Sequence, residues 1–290
     1  MSDVHVSVES LHIYPVKSCA GIALREVELA PTGFDLDRAW MVTDEGGVFV
    51  SQRELPRMAL VQPTLKSEEM ILRAPGMLAL HVAIDRVEAA AAATVWSDRV
   101  AAFDMGPLCA QWFSDFIGRK LRLVRFDPEQ RRLASRQWTG SIEAETSFQD
   151  GFPLLVASTA SLAEVNRRLA AAGEAPVTMA RFRPNIVVAG IEAHDEDHLD
   201  EIAFATHDEA DADADPIRLK LVKPCARCPI PDVDPATGIP GHAVGDVLAQ
   251  YRADAKVGGA LTFAMNAIVV AGHDRKLAVG MRGEGRYAFA

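Results

Sequence analysis

Two cysteines three residues apart, Cys225 and Cys228 in "KPCARCPIPDVDPATG", are the side chains of this 290-residue chain best suited to chemistry. A thiolate is a nucleophile, a redox partner and a soft metal ligand, and each use demands something of the rest of the sequence. Structural zinc takes four Cys or His ligands, so a CxxC half-site calls for a second pair. None is offered, because Cys19 and Cys109 stand alone and His242 and His273 are scattered. An iron–sulfur cluster fails on the same count. Thioredoxin-like exchange wants the pair at the start of a helix, whereas Pro229, Pro231 and Pro235 follow it here and oppose one. "DVDPATG" suggests a calcium loop, but Ala243 stands where an EF-hand needs its closing glutamate. Turn chemistry accounts for Asp-Pro and Thr-Gly by itself. Two readings stay open: a pair of buried, inert thiols, or a strand, "RLKLVK", delivering a thiol into a rigid turn where it binds a soft metal carried by a cofactor.

Cations elsewhere bear on that choice. "RFRPNIVV" places Arg181 and Arg183 just before a strand, "YPVKSCAG" sets Lys17 and Ser18 at a strand-to-turn junction, and "DLDRAW" offers Arg38. Singly, such a cation is more often a surface charge. With the CxxC they form a set.

The elements that must position this set are mostly strands. "VHVSVESLHIY", "LREVELA", "RAWMVTD", "VFVSQ", "MALVQPTL", "MLALHVAI" and "ATVWSD" alternate apolar and polar residues between Gly, Pro and Asp punctuation, the rhythm of antiparallel sheet curling into a barrel or sandwich. "GPLCAQWFSDFIG" predicts a helix, with Pro107 in its first turn and Gly118 at its end. The arginine-rich connection from Asp127 to Pro153 has weak periodicity and reads as a boundary, a lid or a mobile segment. "LLVAS" then predicts a buried strand and "STASLAEVNRRLAAAG" a helix, with Ser161 and Glu164 as a capping box. "NIVVAG", "EIAFA", "IRLKLVK" and "TFAMNAIVVAG" predict further strands, and "HAVGDVLAQYR" a short helix.

Composition sets the outer limits. The chain is 49% hydrophobic and 24% charged, and no apolar run approaches the length of a membrane span. "MSDVHVSVES" lacks the features of a signal peptide, so the cytoplasm is the expected location. Four sparse cysteines do not read as a disulfide framework, and reduced thiols are expected. A formal net charge of -10 without a basic run excludes nucleic acid as a general partner. In the acidic stretch Glu192 to Pro216, a solvated loop and strand edge is favoured over a metal site built on His194, His198 and His207.

The combination of "LHIYPVKSCAGI", "GFDLDRAWMV", "SFQDGFPLLVAS", "FRPNIVV" and "CARCPIPDVDPATG" resembles the MOSC family, which includes molybdenum cofactor sulfurase C-terminal domains and the amidoxime-reducing components. CxRC followed by V-D-P-x-T-G is its most specific element. The resemblance implies a mainly β fold with a few helices (α+β): an N-terminal β-barrel-like region over residues 1–125 and a MOSC β-barrel domain over 126–290. It implies a molybdenum cofactor (Mo-molybdopterin) whose metal is bound by Cys228, with Cys225 the preceding cysteine. Lys17, Ser18, Arg38, Arg183, Asn185, Arg227 and Asn266 match positions that hold the pterin and its phosphate, and "TFAMNAIVV" departs from the family's glycine-containing pattern around Asn266. Pyridoxal phosphate binding is a further family-level property. The implied activity is oxidoreduction of small N-hydroxylated or N-oxide substrates, with Asp234 either relaying protons or capping a turn. Alternatives are a carrier of the molybdenum cofactor and a persulfide sulfur carrier. Amidoxime reducers carry Thr-Thr where this chain has Pro231-Asp232. Since the chain shows no Gly-rich dinucleotide fingerprint and no four-cysteine cluster, electrons are expected from a separate flavoprotein or iron–sulfur protein.

Overall fold

The computed structural model describes residues 2–86, 88–205 and 216–288. Its centre is a closed barrel of seven strands among the described residues: β1 (Val4–Ile13), β2 (Leu154–Ser158), β3 (Ile186–Ala189), β4 (Leu199–Phe204), β5 (Ile217–Ala226), β6 (Ala260–Ala271) and β7 (Arg282–Tyr287). The order around the barrel is β2-β3-β1-β7-β4-β5-β6, closed by β6 against β2. All neighbours are antiparallel except β2 and β3, which run parallel and are joined through the helix α2 (Thr159–Ala171), as a parallel pair requires. The expectation of a mainly β fold with a few helices holds. Closure leaves this sheet without a free edge.

Side-chain alternation explains how β1 feeds the barrel. Val6 and Val8 face inward, two residues apart, and then Leu11 and Ile13 do so after a step of three. Between them the register against β3 shifts at Val8 to Ser10, and this bulge turns the second half of the strand back onto the core. β1 thereby joins strands that lie more than 140 residues later, which ties the start of the chain to its second half.

β7 escaped the sequence reading because "RGEGRY" looks like a loop. Its glycines are required by packing. A Cβ on Gly283 would lie 2.8 Å from the ring of Phe204, itself fully buried, and one on Gly285 would lie 2.8 Å from Val4. Replacing Gly283 by valine is expected to destabilise the protein by about 1–3 kcal/mol through overpacking. Urea unfolding measures it: the midpoint falls with the slope unchanged, and an unshifted midpoint would show that the barrel has room there.

Before β2 the chain builds a second body from short antiparallel sheets. The strands Trp40–Thr43, Arg122–Phe126, Asp98–Asp104 and Ala89–Val95 form one, and Gln62–Leu65, Glu69–Arg73 and Leu80–Ala83 another. The helix α1 (Pro107–Ile117) begins at Pro107 and ends with Gly118 in the left-handed conformation, as expected. Its Trp112, Phe113 and Phe116 pack with Trp40, Met58, Met70 and Leu72 in a core separate from that of the barrel.

One expectation is corrected. The N-cap of α2 is Ser158, whose Oγ accepts from Ser161 N at 3.0 Å, and Glu164 pairs with Arg167 and Arg168 instead of closing a capping box. Ser161 Oγ donates to buried Glu196, so that hydroxyl is already engaged one turn into the helix. The connection from Asp127 to Pro153 is tied down through Arg132, whose guanidinium donates to Thr146 Oγ1 and to the carbonyls of Ser147 and Gln149 while pairing with Asp98. That strap carries Phe148, Gln149 and Asp150 toward the barrel mouth. Residues Glu192 to Phe204 form a short turn and β4; His207 lies outside the described residues. Among the described residues no group of three or more Cys, His, Asp or Glu is arranged to hold a metal ion by itself.

Candidate cofactor and metal site

Three stretches of chain meet at one end of the barrel. The turn that follows β1 is stitched to residues 38–40 by backbone bonds: Arg38 N donates to Tyr14 O, Trp40 N to Pro15 O, and Lys17 N to Trp40 O. Asn185, 1% exposed, then fixes this unit to the barrel. Its Nδ2 donates to His12 O, and its Oδ1 accepts from Leu155 N and from Arg38 Nη1 at 3.1 Å. The third stretch leaves β5, whose register against β6 shifts between Pro224 and Ala226. That irregularity re-aims the chain just where Cys225 begins the turn to Cys228.

A cavity of about 120 Å³ lies where they meet. Lys17, Ser18, Arg38, Arg183, Asn185, Arg227, Cys228 and Asn266 all line it, as does Cys225. Residues up to 249 positions apart in sequence are thus brought to one place. Asp234 is not among them. It lines a neighbouring groove, where its Oδ1 accepts from Ala236 N at 2.8 Å and its carbonyl from Gly238 N, the bonds of a turn-capping residue. Asp232 accepts from Val244 N and Gly245 N and so caps the short helix α3 (Ala243–Ala249).

Charge is the dominant property of the cavity. Five cations line it, Lys17, Arg38, Arg53, Arg183 and Arg227, against one carboxylate, Asp150. Burial lowers Lys17 from the usual ammonium range, although Asp150 at 2.5 Å works the other way. Burial also lowers Arg183, to about 10, and the neighbouring Arg38 guanidinium adds to the effect. For Asp150, burial would raise the carboxyl, but Lys17, the Trp96 indole N–H and Arg53 together hold it far below the usual carboxylate range. Guanidinium groups of Arg38 and Arg183 lie 4.3 and 4.2 Å from the centre of the Tyr14 ring, whose π face offsets part of their mutual repulsion. Burial raises the Tyr14 hydroxyl to about 12 against the pull of both arginines, and the hydroxyl donates to Pro184 O.

Backbone conformation marks the same residues. Ser18, Arg38 and Arg183 adopt φ of 66°, 51° and 58°, a left-handed geometry that costs a non-glycine residue on the order of 1–3 kcal/mol. Ala264, two residues before Asn266, has φ 70°. That is the conformation for which glycine is suited.

The donor set fits a phosphorylated, metal-bearing pterin. Arg227 Nε is buried without a hydrogen-bond partner, while its Nη1 donates to Cys225 Sγ at 3.1 Å and its Nη2 to Phe182 O. Excess buried positive charge with an unsatisfied donor is the complement of a dianion, and a half-buried thiol beside it is the complement of a soft metal. Asn266 adds a half-buried amide whose Nδ2 donates to Lys223 O. Arg53 and Asp150 escaped the sequence reading: Asp150 lay inside the quoted "SFQDGFP" without suggesting a role, and Arg53 belongs to no local motif.

Comparison with known proteins identifies the family. Residues 5–120 match the model of the MOSC N-terminal beta barrel domain, and residues 143–274 match that of the MOSC domain. The chain is 33% identical to mitochondrial amidoxime reducing component 2 of Bos taurus over 242 residues, covering 80% of this chain and 68% of that protein. It is 32% identical over 256 residues to mitochondrial amidoxime-reducing component 1 of Homo sapiens, covering 85% and 72%. To molybdenum cofactor sulfurase of Homo sapiens it is 29% identical over 263 residues, 84% of this chain but 28% of that longer protein. With both matches spanning the barrel and the body that precedes it, and with relatives of this identity and coverage, the chain belongs to the MOSC family.

Proposed function

We propose that this protein is a molybdenum-cofactor-dependent oxidoreductase that reduces N-hydroxylated or N-oxide compounds, with Cys228 as the protein ligand of the metal. The observation that carries the reading is the cation-rich cavity at the barrel mouth with a thiol on its wall. Lys17, Arg38, Arg183 and Arg227 hold the phosphate and pterin, and Ser18, Asn185 and Asn266 supply neutral hydrogen-bonding groups around them. The bound cofactor supplies two-electron chemistry at the N–O bond, so that R–NHOH, two electrons and two protons give R–NH2 and water. The chain's own part is to fix the ligand thiol in a rigid turn and to offer a charged cavity that orients the substrate.

Electrons come from a separate flavoprotein or iron–sulfur protein. Support for this lies in the absence of a dinucleotide fingerprint from these 290 residues and in the placement of Cys19 and Cys109, both buried in the core beside the barrel. No helix among the described residues is long and apolar enough to cross a membrane. Molybdenum-loaded protein should therefore reduce hydroxylamine or benzamidoxime with dithionite and a viologen dye, and not with NADPH alone. Sustained turnover with NADPH and no other protein would contradict the separate donor. Absence of turnover under dithionite would favour a carrier of the cofactor.

A further inference from the structure

Of the five cations in the cavity, four already donate to protein acceptors. Lys17 bonds to Phe148 O and Asp150, Arg38 to Asp37 and Asn185, Arg183 to Cys19 O, and Arg227 to Cys225 and Phe182 O. Arg53 differs. Among the described residues its guanidinium has no hydrogen-bond acceptor, and its Nε is buried without a partner. It is held instead by stacking, 4.4 Å from the centre of the Trp96 ring.

Trp96 is itself unusual. It is the first residue of a two-residue hairpin loop, Val95 and Asp98 being paired across it, and its φ of 56° is one that the bulky side chain adopts at a cost. Left-handed geometry at that loop position is ordinarily the work of asparagine, aspartate or glycine. The indole is 45% exposed, its Nε1 donates to Asp150 Oδ1 at 3.0 Å, and Phe49 packs on it at 5.0 Å. A strained, exposed tryptophan at the tip of a hairpin thus grips both the carboxylate and the uncommitted arginine of the cavity.

We infer that Arg53, aimed by Trp96, is the contact for an anionic group on the substrate, so that the favoured compounds are N-hydroxylated molecules bearing a carboxylate or phosphate. This rests on the function proposed above and deepens it. Partners separate Arg53 from the other cations: Lys17 is 7% exposed and bonded to Phe148 O and Asp150, and Arg183 stacks on Tyr14 and donates to Cys19 O, whereas half-buried Arg53 stacks on an indole open to solvent. Chemistry agrees, since a planar guanidinium whose N–H groups are unclaimed offers a carboxylate two parallel bonds. Asp150 attracts Arg53 without bonding to it, since its Oδ1 accepts from Lys17 and from Trp96, so the guanidinium N–H groups stay unclaimed.

The test is a calorimetric titration of the oxidised protein, without reductant, with para-carboxybenzamidoxime and with uncharged benzamidoxime. Wild type should bind the carboxylated probe more tightly by about tenfold or more, and Arg53→Gln should bring the two affinities together. Trp96→Ala should erode the preference and Trp96→Phe, which retains a π face, should keep most of it. Equal affinities in wild type, or an unchanged preference in Arg53→Gln, would overturn the inference. So would loss of pterin from Arg53→Gln on gel filtration, which would place Arg53 on the cofactor's own phosphate. Molybdenum content of the same samples keeps the two readings apart: a preparation unable to take up the metal counts against the proposed function, while the affinity ratio still reports on Arg53.

Discussion

Replacing Cys228 by serine should abolish reduction of N-hydroxylated compounds, whereas Cys225→Ser should stay active. The two sulfurs sit on one turn and line one cavity, but they are not equivalent. Cys225 Sγ accepts from Arg227 Nη1 at 3.1 Å, so the protein already occupies it, whereas Cys228 has no hydrogen-bond partner among the described residues. A sulfur left free at the wall of a cavity is the one available to a metal. Serine is close to cysteine in size, so the variant tests ligation more than packing. Loss of an outer partner of a metal ligand typically costs about 10–100-fold, and loss of the ligand itself should cost more. Under the proposed function the pterin should remain, held at its other end by Lys17, Arg38 and Arg183, and fluorescence of the extracted pterin will show it. An active Cys228→Ser beside a dead Cys225→Ser would reverse the assignment.

Removal of an anchoring cation should have the next largest effect. Arg183→Ala and Arg38→Ala should each weaken cofactor binding by roughly 1.5–3 kcal/mol, the value of one charge-assisted hydrogen bond to phosphate. Both side chains also hold the frame, because Arg38 bonds to Asn185 and to Arg183 O and Arg183 bonds to Cys19 O. Each loss has a compensation in the empty protein, where removing one of two neighbouring buried cations relieves their repulsion. The expected signature is therefore cofactor lost on gel filtration from a chain that still unfolds cooperatively. Full retention of cofactor in both variants would place the phosphate elsewhere.

Much of the fold was legible because its signals are local. "GPLCAQWFSDFIG" carries its own start and stop, and α1 obeys them at Pro107 and Gly118. β1, β2, β3 and β6 are apolar enough to be read directly. What could not be read depends on contacts far along the chain. The glycines of β7 make sense only against Phe204 and Val4, and the Ser161 hydroxyl, inside α2, goes to Glu196, 35 residues later, while Ser158 caps the helix through Ser161 N. Insertion of a strand from the start of the chain between β3 and β7 is equally invisible to a window of neighbouring residues.

The site divides in the same way. Cys228, Lys17, Arg183 and Asn185 announce themselves through residue type and short motifs, and the barrel brings them together. Asp234 stood six residues from Cys228 in sequence, yet the turn carries it into the adjoining groove. Arg53 and Trp96 went unnoticed for the opposite reason: nothing near them in sequence is unusual, and they meet only because the fold brings the tip of a hairpin against Arg53.

The most direct measurement is the molybdenum content of the protein purified from a host that makes the cofactor, with the pterin extracted and quantified from the same sample. The proposed function predicts close to one molybdenum and one pterin per chain, with the metal lost in Cys228→Ser. A protein from such a host that contains neither would contradict it.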